Sequence, residues 1–74
     1  MAHPREVFRA AVIGAAYSIV LMHNHPSGDP SPSDADLRMT RKLADSGRIL
    51  GIEVVDHVIV GSNRHLSLRE TGIL

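Results

Sequence analysis

The sequence predicts an α/β (α+β) domain, a small three-stranded mixed sheet packed with two helices. Three observations carry that expectation. Apolar residues recur at helical spacing in two segments, short runs rich in β-formers lie between and after them, and Gly, Pro, Asn and Ser punctuate the joins. The expected order is helix, strand, loop, helix, strand, strand.

The first helix is expected from Pro4 to about Ala16. Phe8, Ala11, Val12 and Ala15 form one apolar face, with Arg5, Glu6 and Arg9 largely off it. Pro4 suits the first turn, where its missing N–H is no loss. Tyr17 to Met22 is apolar on both faces apart from Ser18 and reads as a buried, central strand. Pro26, Gly28, Pro30 and Pro32 then break regular structure. A second helix should start near Ser33 and run to about Leu50, with Gly51 placed to cap it. Val54 to Val60 is the next strand, Gly61-Ser62-Asn63 a turn, and His65 to Leu68 a short returning strand; Gly72 breaks the chain before a short tail. Three strands leave open sheet edges. Either another chain covers an edge, which makes a homo-oligomer an expectation, or part of the domain is missing.

Composition narrows the function classes. Seventy-four residues make one domain at most, of a size that often relies on disulfides, a metal or a partner. There is no cysteine, so disulfides and thiolate zinc sites are excluded, and a reducing cytosol fits. Eight basic and eight acidic side chains cancel, which argues against a strong field for nucleic acid or anionic membrane. Tyr17 and Phe8 are too few for a base-stacking platform. No apolar run is long enough to span a bilayer, and MAHPREVF lacks the pattern of a secretory signal. A cytoplasmic domain without membrane contact is the expectation.

The chemistry is concentrated in MHNHPSGDPSPSDAD, Met22 to Asp36. His23 and His25 close the first strand. In an extended backbone residues i and i+2 point to one side, and Pro26 pushes His25 toward extended geometry. Two neutral imidazoles on one side form half of a zinc site. Asp29, Asp34 and Asp36 are the nearby carboxylates. Steps of four and three from Asp36 reach Thr40, Leu43, Gly47 and Leu50, the inward face. Steps from Asp34 reach Arg38, Arg41, Asp45 and Arg48, the solvated face. Asp29 sits between breakers, where it suits a turn. Asp36 is therefore the expected third ligand, and Ser33 stands beside it at the helix start, where a hydroxyl could orient a water or stabilise an oxyanion. Ser33-x-x-Asp36 is also a helix-capping pattern, which would account for both residues without a metal.

His-x-His, seven residues, then Ser-x-x-Asp resembles the core of the JAMM (JAB/MPN) metalloprotease motif, met by His23, His25, Ser33 and Asp36. With HPREVF before it and DHVIVG after it, the string resembles the RadC-like branch over essentially the whole chain. The resemblance implies a truncated JAB/MPN layer, cytidine-deaminase-like, over residues 1–74, lacking its N-terminal strands. It implies Zn2+ held by His23, His25 and Asp36, Ser33 at the reaction centre, and hydrolysis of peptide or isopeptide bonds by zinc-activated water. Family members also use a glutamate base on a strand upstream of the first helix. Glu6, Glu53 and Glu70 do not match that position.

Two functions therefore compete: a zinc hydrolase acting on a peptide or protein, and a noncatalytic binding or assembly module of the same fold. The DNA-repair association of the RadC name has no support in charge or composition. Elsewhere, alternation puts His57 beside Val55 and Ile59, and Asp56 beside Val54 and Val58, as polar residues of a core needing partners. A contact from one of them to the metal site is the alternative. Arg38, Arg41 and Arg48 read as a solvated stripe. His3 and His65 carry no signal.

Overall fold

The computed structural model describes residues 4–74; His3 lies outside the described residues. Its elements are α1 (Pro4–Ile13), β1 (Ser18–Asn24), α2 (Asp34–Leu50), β2 (Glu53–Val60) and β3 (His65–Ser67). β1 and β2 run parallel across the α2 crossover, and β3 returns antiparallel to β2, giving the order β1-β2-β3. The expected two helices and mixed three-stranded sheet are present.

Both helices pack on one face of the sheet. Phe8 and Ala11 from α1, Leu43 from α2, and Ile52 and Val54 form the buried cluster, with Ile19 and Leu21 of β1 against it. Fully burying side chains such as Phe8 and Leu43 contributes roughly 1.5–3 kcal/mol each. Ile59 and Leu68 are wholly buried as well.

Four expectations need correction. β1 is not a buried central strand. Among the described residues it pairs only with β2, so it is an edge there, and with helices on one face it alternates: Ser18, Val20, Met22 and Asn24 are exposed, and Tyr17 precedes the strand at 91% exposure. α1 stops at Ile13 rather than about Ala16. Gly14 follows, Ala15 turns left-handed at φ 52°, and Val12 and Ala15 face solvent. Leu50, expected inward, is 51% exposed, because α2 reaches its last turn there; Gly51 caps it at φ 73° as expected.

The fourth correction bears on the site. The ladder pairs Ile19 with Val54 but Val20 with Asp56, so Val55 is an extra residue in β2. This bulge shifts the strand's phase. Val54, His57 and Ile59 are all buried on the helix-covered face, whereas strict alternation separates Val54 from His57. Asp56 secures the bend. Its carboxylate accepts from the His57 N–H (2.7 Å), the Arg69 N–H (3.0 Å) and the Ser67 hydroxyl (2.5 Å). Burial raises the Asp56 pKa, but those donors and the nearby Arg69 charge outweigh it and hold the carboxyl below its ordinary value.

Candidate metal centre

The site lies at the carboxyl end of β1, where the chain leaves the sheet for the crossover helix. Ligands in α/β sheets gather outside such strand ends. His23 lies on the covered side of β1 with Leu21, while Met22 and Asn24 face out. His25 extends the ladder by one bond, its N–H donating to the Val60 carbonyl at 2.9 Å.

The proline-rich segment after it is a pinned connection. The Gly28 N–H donates to the His25 carbonyl (3.0 Å), and the Gly28 carbonyl accepts from the Ser62 N–H in the β2–β3 turn (2.9 Å). Gly28 adopts φ +84°, and a Cβ on Gly61 would stand 2.2 Å from the Gly28 carbonyl oxygen. Asp29 stabilises a turn as expected, its carboxylate accepting from the Ser31 N–H at 2.9 Å. That bond is the main cause of its lowered pKa.

Ser33 is the N-cap of α2. Its hydroxyl accepts from the Asp36 N–H (3.1 Å), and the Asp36 carboxylate accepts in return from the Ser33 N–H (2.8 Å). The capping reading of Ser33-x-x-Asp36 is thus realised, with Asp in the place usually taken by Glu or Gln. The same carboxylate is 2% exposed and faces both imidazoles. His23 Nδ1 lies 3.3 Å from Oδ1, and His25 Nε2 lies 2.9 Å from Oδ2. Burial pushes the Asp36 pKa up, but the Ser33 bonds, the His23 charge and the His25 bond prevail and hold it below the ordinary carboxylate value.

One ligand atom from each of His23, His25 and Asp36 lies within 4.8 Å of the others, so the three could hold a metal ion. Two features of the donor set fit one. Tetrahedral zinc, with bonds near 2.0 Å, needs ligand atoms about 3.3 Å apart, close to the His23–Asp36 spacing. His25 Nδ1 lies 2.9 Å from the Asp29 carbonyl oxygen, which can only accept. Nδ1 therefore carries a hydrogen, and Nε2 is the nitrogen turned toward Asp36, an orientation typical of ligating histidines. Asp34, by contrast, is exposed with Arg38, Arg41, Asp45 and Arg48.

No glutamate among the described residues joins this group. Glu6 lines a shallow surface hollow with Arg9 and Ile13, Glu53 pairs with Arg69 at 4.0 Å, and Glu70 is exposed after β3. Thr40 as a polar link was not foreseen in the sequence; His57, expected as a core residue needing a partner, is buried and has one, though on the face of Val54 rather than Val55. The Thr40 hydroxyl donates to the Asp36 carbonyl (2.8 Å) and lies 2.6 Å from His57 Nδ1. The interrupted run VVDHVIV was the available signal for His57, but the bulge was not.

Two imidazoles and a carboxylate meeting at the end of a parallel strand define an α+β domain with a candidate three-ligand metal centre. Comparison with known families makes this specific. The RadC-like JAB domain model matches residues 1–73, and the chain belongs to that family. It is 58% identical over all 74 residues to a UPF0758 protein of Desulfitobacterium hafniense, of which the match covers 33%. A UPF0758 protein of Caldanaerobacter subterraneus is 59% identical over 70 residues, 95% of this chain and 30% of that one. One from Methanococcoides burtonii is 54% identical over 72 residues, 97% and 31% respectively. The chain thus spans about a third of the length of these curated relatives.

Proposed function

We infer that this domain binds zinc through His23, His25 and Asp36 and serves a JAMM-type hydrolase of peptide or isopeptide bonds. The observation that carries the reading is the buried Asp36 carboxylate facing two imidazoles, one with its Nε2 directed to it while Nδ1 donates to the Asp29 carbonyl. When bound, zinc would supply Lewis acidity at a carbonyl and a lowered pKa for water. Asp36 holds its negative charge against burial, and the Asp29 carbonyl fixes the His25 tautomer. Ser33, beside the carboxylate, has a hydroxyl hydrogen left to donate after Oγ accepts from Asp36.

The second reading is a noncatalytic binding or assembly module of the same fold, with or without zinc. The placement of Glu6, Glu53 and Glu70 away from the triad favours it for these residues by themselves, since loss of general acid–base help typically costs a hundred- to ten-thousandfold. The relatives' greater length leaves room for a base supplied from elsewhere in a longer chain. The edge of β1 that is open among the described residues is where another strand, from such a segment or a second copy, would pair.

Metal analysis of the purified protein tests the site. About one zinc per chain is expected in the wild type, with loss in His23→Ala and Asp36→Ala. Folded wild type that takes up no zinc overturns the metal site and with it the hydrolase reading, and leaves the module. Cleavage assays on peptide and isopeptide substrates with a full-length relative then separate them: turnover abolished by Asp36→Ala supports the hydrolase, and zinc-loaded protein inert to all of them supports the module.

A further inference from the structure

His57 touches the candidate centre from a direction outside the motif. Its ring is 4% exposed and stacks on His23, with centroids 5.9 Å apart and planes 17° from parallel. His23 in turn meets His25 edge to face at 4.7 Å and 88°. On its other side, His57 is tied to the carboxylate-bearing helix. Thr40 spends its only hydroxyl hydrogen on the Asp36 carbonyl, so at 2.6 Å it must accept from His57 Nδ1–H. The imidazole tautomer follows: hydrogen on Nδ1, lone pair on Nε2. His57 also lines, with Leu21, Met39 and Leu43, a cavity of about 70 Å³ that opens beside His23 and Asp36.

The fold goes to some length to place this ring. The extra residue Val55 turns His57 inward, and Asp56 takes up the His57 N–H while anchoring the bend to Ser67 and Arg69. Bulges beside functional sites commonly re-aim one side chain. A core that only needed filling would be served by an apolar residue on an unbroken strand, without the cost of a buried polar ring.

We propose that His57 is a positioning residue of the metal centre: it sets the plane of His23 by stacking and ties Asp36 to the same ring through Thr40. The two ligands supplied by different elements, β1 and α2, are thereby braced by a third, β2. The inference rests on the zinc reading for its consequence but not for its geometry, and the two are tested separately.

Zinc affinity is measured by competition with a chromophoric chelator in wild type, His23→Ala, His57→Ala, His57→Phe, His57→Asn and Thr40→Val, each checked for folding by thermal melts. His57→Ala should bind zinc still, but about 10–100-fold more weakly, the usual effect of losing a residue that orients a ligand. Phe keeps a flat ring on His23 and Asn keeps a donor to Thr40, so each should recover part of the loss. If His57→Ala does not fold, these two variants and Thr40→Val carry the test. Wild-type affinity in the folded His57 variants, with binding abolished in His23→Ala, overturns the proposal. In metal-free protein, NMR of the His23 ring supplies a second readout. A single ring environment in wild type that becomes averaged in His57→Ala supports the bracing, and identical His23 signals in both overturn it. Wild type that binds no zinc yet shows the His23 change defeats the zinc reading and leaves the bracing standing.

Discussion

Asp36 and Asp56 are two carboxylates built alike and used differently. Each receives three polar partners, and each is held below its ordinary pKa against the cost of burial. Around Asp56 the three bonds come from groups of the backbone or a neighbouring hydroxyl: the His57 and Arg69 N–H groups and Ser67. Around Asp36 only the Ser33 N–H is of that kind, and the remaining two partners are imidazole nitrogens. A backbone donor cannot be exchanged without unfolding, whereas an imidazole can turn its lone pair to a cation. The first arrangement is a clamp and the second a candidate ligand set, although each begins as an aspartate turned away from solvent.

The largest expected effect breaks the second arrangement. Asp36→Ala should lower zinc affinity by more than about 100-fold, beyond the usual cost of changing a residue that merely orients a ligand, as read by chelator competition. Next comes the connection that holds the histidines to the helix. Gly61→Ala would drive a methyl against the Gly28 carbonyl and should cost about 1–3 kcal/mol of stability in denaturant unfolding, the range for overpacking, with weakened zinc binding. Asp56→Asn keeps the one oxygen that accepts from the His57 and Arg69 N–H groups, and so the bend, and should cost about 1–2 kcal/mol while zinc binding is retained.

The pH dependence of that variant sharpens the contrast. Because the folded pKa of Asp56 lies below 3.8, its stabilisation is complete above that value and is lost as pH falls through the folded one. Asp56→Asn lacks this component, so its acid unfolding limb should be flatter than the wild type's, though Asp36 and Asp29 still contribute theirs. The smallest effect is expected from Ser33→Ala, about 1 kcal/mol for a lost N-cap.

Much of this was legible in the residues. Gly51, the Gly61–Asn63 turn and the two apolar periodicities place α2, β2 and β3 to within a residue or two. The phase of α2 singled out Asp36 over Asp34, since helical spacing is rigid once the cap is known. What the sequence did not carry depends on contacts between elements. The apolar composition of Tyr17–Met22 cannot say whether one face or two is covered, and the one-residue bulge at Val55 has no signature in VVDHVIV. The cap and the ligand set looked like rivals because each explained Ser33 and Asp36. In the structure one carboxylate does both, as Oδ2 accepts from Ser33 while the pair of oxygens faces the histidines.

Thermal unfolding with and without excess zinc, run on wild type, Asp36→Asn and Asp56→Asn, tests the contrast most directly. A ligand that binds only the folded state raises stability by about 2.7 kcal/mol at a hundred times its Kd. Wild type and Asp56→Asn should rise by similar amounts from different baselines, and Asp36→Asn should not move. An Asp36→Asn protein that gains as much from zinc as the wild type would contradict the assignment of Asp36 as the exchangeable carboxylate.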